Sequence, residues 1–342
     1  MNFEERKKFW DTLSSLAGKD AEADMAELRN TIKYPRFLYR YRDVNSKTLE
    51  ALRTNRMYFS SANYYDDPFD TFLQIDLDRI KKEIKTVLSD NTQMHRLIDF
   101  LHSENDSSLN AALGIQDASI IDENTIKNFV NEQTINRLIC DMGEFRNILK
   151  EDTWSVCFSE NGFNETLWLK YAKQHTGFVL IYDLEADDKL LCGKQSKCHN
   201  CKISRLGTPL YPIYYSDEKY DATDYARFII TQRLKEKFSE NGFINKLLPI
   251  NYNSMWERER TTLIKKKCHM YDEEWRMIFP SKMKPPIMRE WMPSGVILGL
   301  KMDINEENLV VNLSKQAGIE HFYKSYIDVN GDLNCQEVFP KN

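Results

Sequence analysis

The stretch YDEEWRMIFP, Tyr271 to Pro280, predicts a β-strand with two unlike faces. Successive side chains of a strand point to opposite sides of the sheet. One side then carries Asp272, Glu274, Arg276 and Ile278, and the other carries Tyr271, Glu273, Trp275, Met277 and Phe279. The largely aromatic side is typical of a core. The charged side therefore either meets water or lines a site.

Similar segments occur before and after this stretch and determine the predicted fold class. Strands are predicted at RFLYRYRD, RMYFSSA, TWSVCFSE, TGFVLIYDL, LYPIYYSD and SGVILGLK, with two short ones near the end of the chain. Short helices separate them without regular βαβ units. The sequence therefore predicts an α+β fold with a mixed, mainly antiparallel sheet core and an inserted helical lobe.

Helical periodicity defines the predicted domain organisation. Residues 1–34 predict an N-terminal helical segment, followed by an α+β domain over 35–342. Within that domain, three or four helices are predicted as an insertion at about 77–150. Ser46 is the predicted N-cap of the helix SKTLEALRTN, and the charged segment Met255 to Lys267 is predicted to be helical or only partly ordered.

Composition and charge limit the class of protein. The 342 residues are 42% hydrophobic, 12% aromatic and 29% charged, which is typical of a folded globular protein. A formal net charge of -5 gives no general attraction to nucleic acid or to an anionic membrane. The opening residues are charged where a signal peptide is apolar, and no window reaches the ~18 apolar residues of a membrane span. We therefore expect a cytoplasmic protein without a membrane partner.

The seven cysteines raise the question of a zinc site. Candidate ligands are Cys192, Cys198, His199 and Cys201, with Cys268 and His269 able to complete a tetrahedral set. A second C-x-x-C or an H-x-x-x-H is missing, which favours an exposed loop with reduced thiols. Structural zinc is the alternative interpretation.

The signatures of several large enzyme families are absent. The sequence has no Walker A loop, no G-x-G-x-x-G, no H-E-x-x-H and no G-x-S-x-G, and it has only 12 glycines. These absences argue against a classical kinase, a P-loop ATPase, a Rossmann dehydrogenase and an α/β-hydrolase.

Four segments, taken in order, resemble a known family. They are LYRYRD, MYFSSANYYDDPFD, WSVCFSENGFNETLWLKYAKQHTGFVLIYD and EEWRMIF, and they run from about Phe37 to Phe279. Their succession resembles the bacterial family catalogued as domain of unknown function 2971. That family has no settled activity, so this resemblance implies no particular chemistry.

The arrangement is more distantly similar to the NAD-dependent ADP-ribosyltransferases. In that group a basic or His residue lies on the first strand, a small hydroxyl or aromatic residue on a middle strand, and a Glu on a late strand. Cleaving the bond between nicotinamide and ribose builds positive charge on the ribose, which a fixed carboxylate stabilises. Arginine can orient the diphosphate, and aromatic rings can stack on the nicotinamide.

This resemblance implies roles for particular residues, with Glu274 as the catalytic carboxylate. The residues implied to bind NAD are Arg40, Tyr41, Arg42, Ser60, Trp168, Tyr171, His175 and Arg276. Two departures from the group are Tyr41-Arg42 after Arg40, where a small hydroxyl residue is usual, and Asp272-x-Glu274, a shortened form of E-x-E. The implied function is ADP-ribose transfer from NAD, or NAD hydrolysis, with a protein or nucleic-acid acceptor. A toxin or phage-defence role follows by analogy only.

Other interpretations of the same residues stay open. A binding module for nucleic acid or protein would use the basic run Lys265 to Lys267, Arg258, Arg260 and the YRYR stretch, although a solvated helix face also explains the run. A metal-dependent nuclease would use Asp66, Asp67, Asp70 and Glu274. Glu274 and Arg276 are equally well explained as an ion pair on a water-facing strand. Trp168 and Tyr171 fit core packing, and Cys157 fits either a reactive or an inert thiol.

Overall fold

The computed structural model describes residues 1–65, 67, 69–104, 111, 114, 116–185, 210–237, 252–279 and 287–338. Contacts between residues divide the chain into two units. One contains a large sheet with helices and the other is mainly helical, which confirms the α+β class predicted from the sequence. The candidate zinc ligands Cys192, Cys198, His199 and Cys201 lie outside the described residues, as does Asp66.

The regular elements follow in chain order. The strands are β1 (Phe37–Arg42), β2 (Arg56–Tyr58), β3 (Ser60–Ser61), β4 (Leu73–Gln74), β5 (Trp154–Ser159), β6 (Phe178–Asp183), β7 (Leu210–Pro212), β8 (Tyr214–Ser216), β9 (Tyr220–Asp221), β10 (Ile264–Lys266), β11 (Glu274–Phe279), β12 (Met288–Glu290), β13 (Gly295–Leu298), β14 (His321–Ile327) and β15 (Leu333–Val338). The α-helices are Phe3–Ser15, Ala21–Thr31, Ser46–Arg53, Leu77–Ser89, Asn91–Glu104, Glu123–Phe129, Glu132–Gly143, Phe145–Asp152, Glu165–Tyr171, Thr223–Lys237, Glu257–Thr262 and Ile304–Gln316.

The first unit comprises Met1–Thr71, Lys150–Glu218 and Arg258–Asn342. Its main sheet has the strand order β15-β14-β13-β6-β1-β5-β11-β7, with β3 also paired to β5. Every pair in this sheet is antiparallel except β13 with β14. The predicted mixed, mainly antiparallel sheet is therefore confirmed.

One edge of β5 is shared between two strands, and this opens the sheet. At one end Ser159 opposes Tyr39 of β1, and at the other end Ser155 opposes Ser60 of β3. Residues 156–158 have no strand partner on that edge, whereas β11 pairs along the whole opposite edge. The sheet is therefore open between β1 and β5, although the two strands are neighbours.

The helix Glu165–Tyr171 packs against β1 and β6. Asn164 caps it by accepting the backbone N–H of Leu167, and the helix buries Leu167 and Trp168. These two side chains pack with Tyr41 of β1 and Val179 of β6. The amphipathic pattern predicted for ETLWLKYAKQ thus fixes this helix against the sheet.

The second unit comprises Phe72–Leu149 and Lys219–Glu257. Its larger hydrophobic cluster includes Ile80 and Ile84, one turn apart on a helix, and Leu97 and Leu101 on the next. The described part of 77–150 contains five α-helices, more than the sequence predicted. The extra breaks occur at polar caps such as Asp122, where periodicity alone gives no signal.

Three local predictions were wrong. RMYFSSA forms two strands in different sheets, β2 paired with β12 and β3 paired with β5. Asn45, not Ser46, caps the helix Ser46–Arg53, because Asn45 and Thr48 exchange hydrogen bonds as a capping box. LYPIYYSD forms two strands in different sheets, β7 and β8. They separate at Ile213, whose N–H donates to the carbonyl of Glu274 at 3.0 Å.

Candidate functional site

A cleft of about 280 Å³ lies in the first unit at the opening between β1 and β5. Its lining includes consecutive residues of both strands, 39–42 and 155–159. Further lining comes from Ser60, Tyr64, Tyr65, Asp67, Asp70, Leu167, Tyr171, Lys265, Asp272, Glu274 and Arg276. The four segments that carry the family resemblance therefore meet at one cleft.

Glu274 and Arg276 form a buried ionic network. Oε1 of Glu274 accepts Nε–H of Arg276 at 2.7 Å, and Oε2 accepts Nζ of Lys265 at 2.8 Å. The other guanidinium nitrogens of Arg276 donate to both oxygens of Asp70, at 2.9 and 2.6 Å. Glu274 is 6% exposed and Arg276 is 0% exposed. The interpretation of an ion pair on a water-facing strand is therefore wrong.

Lys265 lines the cleft, although the sequence predicted it only as part of a basic run in the binding-module alternative. It lies in β10, which pairs with β8, and it is 5% exposed. Its Nζ contacts Asp272 at 3.0 Å and Glu274 at 2.8 Å. The solvated-helix interpretation of this lysine run is wrong, because only Lys266 and Lys267 are exposed and the run enters a strand. The run Ile264 to Lys267 has no apolar–polar alternation, and Ile264 and Lys265 are both buried, so the sequence pattern gave no signal for this residue.

Asp272 reaches the network from outside the strand. It ends the 3₁₀ helix Lys267–Asp272, and Glu273, with a left-handed φ of 45°, turns the chain into β11. The prediction that Asp272 continues the strand face is therefore wrong, yet Lys265 binds both Asp272 and Glu274. Asp272 is 4% exposed, and its Oδ1 has no hydrogen-bond partner among the described residues.

The two carboxylates differ in proton affinity. Burial by itself would raise the pKa of Glu274, but Arg276 and Lys265 outweigh it and hold that pKa well below the usual range. Burial raises the pKa of Asp272, and Lys265 offsets this only in part. Glu274 is therefore the permanently ionised group of the pair, and Asp272 binds a proton more readily.

Cys157 lines the cleft as a protonated thiol. Burial, reinforced by the Glu274 carboxylate, raises the pKa of Cys157 to about 12. Since the thiolate is the reactive form, this favours the interpretation of an inert thiol at neutral pH.

Two arginines of β1 line the cleft without a carboxylate partner. Arg40 donates to the carbonyl of Tyr58 at 3.4 Å, and neither Arg40 nor Arg42 forms an ion pair with a described residue. Burial and the neighbouring Arg40 lower the pKa of Arg42 to about 9, which leaves it charged at neutral pH. The carboxylates at the floor are neutralised by Lys265 and Arg276, so the arginine pair gives its part of the cleft a positive charge.

The remaining implied residues divide into two groups. Ser60, Tyr41 and Tyr171 line the cleft, although the hydroxyl of Tyr41 is occupied by the backbone of Asn161 and Asn164. Trp168 and His175 are not among the lining residues. Trp168 is fully buried, and the His175 ring stacks on it with centroids 5.6 Å apart. These contacts favour a core role for Trp168.

Trp168→Phe is expected to lower the free energy of unfolding by about 1 to 3 kcal/mol. The indole N–H donates to the carbonyl of Gly162 at 3.0 Å, and phenylalanine leaves that buried oxygen without its donor. Urea unfolding measures the effect. Leu169→Ala on the same helix is the control, because Leu169 is 53% exposed and its loss should change little. An unchanged unfolding free energy for Trp168→Phe would contradict the core role.

The described residues offer no ready-made metal centre. They contain no group of three or more His, Cys, Asp or Glu side chains placed to hold a metal ion. Where Asp70, Asp272 and Glu274 converge, the cations are Lys265 and Arg276. Asp67, the other proposed nuclease ligand, contacts Nε2 of His269 at 3.2 Å.

Comparison with known proteins adds no analogy to this geometry. No family model matches the sequence, and no curated protein and no solved structure matches it either. Among the helices in the described part of the chain, none has the length and apolar content needed to cross a bilayer. The function must therefore be argued from the cleft itself.

Proposed function

We propose that the protein is an ADP-ribosyltransferase-like enzyme that acts on NAD, either transferring ADP-ribose or hydrolysing NAD. The observation that carries the proposal is the pairing, in one cleft, of an ionised carboxylate with an arginine pair that has no carboxylate partner. A dinucleotide needs both features, because its diphosphate is anionic and its reacting ribose becomes positive.

Glu274 is suited to stabilise that positive charge. Arg276 and Lys265 fix its two oxygens, and each ionised oxygen keeps a further lone pair for a ribose hydroxyl. A buried carboxylate already fixed in position needs little reorganisation when charge develops. Its lowered pKa makes it a poor base, so its role in this proposal is electrostatic.

Asp272 is the better proton acceptor. In the reaction, the bond between C1′ of the ribose and the nicotinamide nitrogen breaks, and its electrons leave with neutral nicotinamide. Water or an acceptor group then bonds to C1′ and gives its proton to a base. The raised pKa of Asp272 and its unpartnered Oδ1 support that role.

Arg40 and Arg42 are the proposed diphosphate ligands. They lie at the opening of the sheet, and guanidinium groups bind phosphate oxygens through charge-assisted hydrogen bonds. The ring of Tyr171 lines the same cleft and is 36% exposed, and aromatic rings stack on planar bases.

Release of nicotinamide from NAD by the purified protein tests the proposal. We expect release by the wild type, and a rise in KM on the order of ten- to a hundredfold for Arg42→Met, which loses a charged hydrogen bond to the substrate. Arg53→Met is the matched control, because Arg53 is an exposed arginine paired with Glu50. Absence of release, with or without added protein and nucleic-acid acceptors, would overturn the proposal. Release that requires added magnesium or manganese would instead favour metal-dependent chemistry.

A further inference from the structure

Exposed aromatic side chains lie on the chain segments that line the cleft. Tyr64 and Tyr171 belong to its lining and are 79% and 36% exposed. Phe69, 69% exposed, is flanked along the chain by lining residues Asp67 and Asp70, and Tyr271, 40% exposed, precedes the lining residue Asp272. These four are the only aromatic side chains in the described parts of the chain that are classed as exposed. Two of the four line the cleft and the other two directly adjoin lining residues along the chain, which indicates a contact surface.

Two more carboxylates line this cleft, and one of them has an oxygen without a donor. Asp67 and Asp272 both line the cleft, and Oδ1 of the buried Asp272 accepts no hydrogen bond from a described residue. A buried carboxylate oxygen without a partner is costly, so a donor is expected there.

His269 also has a buried polar atom without a hydrogen-bond partner among the described residues. Its Nε2 lies 3.2 Å from Asp67, and its buried Nδ1 lies 3.9 Å from Oδ2 of Asp272, beyond hydrogen-bond distance, with no hydrogen-bond partner in the described parts of the chain. When Nε2–H donates to Asp67, Nδ1 is the ring nitrogen left to accept from a donor. A group with several N–H donors would satisfy both His269 and Asp272.

Aromatic faces and carboxylates together recognise cations. Guanidinium and ammonium groups bind over aromatic rings and donate charge-assisted hydrogen bonds to carboxylates. The carboxylates disfavour a nucleic-acid phosphate at the mouth, and the chain as a whole carries a net charge of -5. Tyrosine, phenylalanine and methionine are enriched at protein interfaces, and Met270, next to Tyr271 in the chain, is 43% exposed.

We propose that the mouth of the cleft binds an arginine or lysine side chain of a protein partner. This inference deepens the proposed function and rests on it only in making that partner the acceptor of ADP-ribose. Tyr64 and Phe69 hold the cationic group by their faces, and Asp272 accepts its hydrogen bonds.

Peptide binding without NAD tests the recognition separately from the chemistry. The probe is a short fluorescent peptide with one central arginine in a glycine–serine background, with matched lysine, glutamine and glutamate peptides, measured by anisotropy. We expect the arginine and lysine peptides to bind in preference to the other two. Loss of two aromatic contacts in Tyr64→Ala/Phe69→Ala is expected to weaken binding by about tenfold. Asp272→Asn is expected to weaken it as well, whereas Ile304→Ala, a change at a 60% exposed apolar side chain on another helix, leaves it unchanged.

The outcomes separate the two proposals. Nicotinamide release without preference for the cationic peptides overturns the cation site and leaves the NAD proposal standing. Cationic peptide binding without nicotinamide release supports the site and overturns the NAD proposal. Binding of a single-stranded oligonucleotide that the Tyr64→Ala/Phe69→Ala change weakens, with no peptide binding, assigns the mouth to nucleic acid and overturns the inference.

Discussion

Glu274→Gln is expected to reduce nicotinamide release from NAD by about a hundred- to a thousandfold, with kcat affected more than KM. The amide keeps the shape of the side chain but loses the charge that would stabilise the positive ribose. Since the pKa of Glu274 is lowered, the wild-type carboxylate is fully ionised at neutral pH. The variant therefore loses all of the charge that would stabilise the ribose.

A folding control is needed because Glu274 also neutralises Lys265 and Arg276. Lys265→Met/Glu274→Gln removes one charge of each sign and keeps the network balanced. We expect the double variant to recover much of any stability that Glu274→Gln loses, without recovering activity. A Glu274→Gln protein with wild-type kcat would show that the carboxylate takes no part in the reaction. The ionic network of Glu274, Arg276 and Lys265 would then have a structural role alone.

Arg276→Met is expected to cause the largest loss of stability, about 3 to 5 kcal/mol. The guanidinium is fully buried and donates to Glu274, to both oxygens of Asp70 and to the carbonyl of Thr262. Methionine fills much of the volume but leaves two buried carboxylates without these donors. Chemical denaturation of wild type and variant gives the difference in unfolding free energy.

Asp70→Asn is the second single variant of a double-mutant cycle that measures the coupling between Arg276 and Asp70. If the network acts as a unit, Arg276→Met/Asp70→Asn loses less stability than the sum of the two single changes. Arg53→Met is the surface control and is expected to change stability little, since its partner Glu50 is also exposed. Additive losses in the cycle would contradict direct coupling between Arg276 and Asp70.

Local patterns in the sequence were sufficient for the α+β class and for most elements of the sheet. The alternation in EWRMIF predicts β11, and the apolar run in TGFVLIYDL predicts β6. The same patterns predicted which side chains of β11 share a face. Glu274 and Arg276 do interact directly, at 2.7 Å.

Whether that charged face meets water was decided by distant parts of the chain. Asp70, 206 positions from Arg276, supplies its bidentate carboxylate partner, and Lys265 arrives on a strand that pairs with β8. Periodicity along a strand reports which side chains share a face but carries no information about what covers that face. For this reason the basic run containing Lys265 was misassigned.

Two aromatic candidates show the same limit of sequence periodicity, which does not reveal what covers a side chain. Trp168 and Tyr171 lie three residues apart on one short helix, yet Trp168 is fully buried in the core and Tyr171 is at the cleft. The sequence by itself determined most strands of the main sheet, the shared face of Glu274 and Arg276, and the arginine-rich first strand. Only the tertiary structure determined the open edge of β5 and the pairing of each charge, because both depend on contacts between segments far apart in the chain.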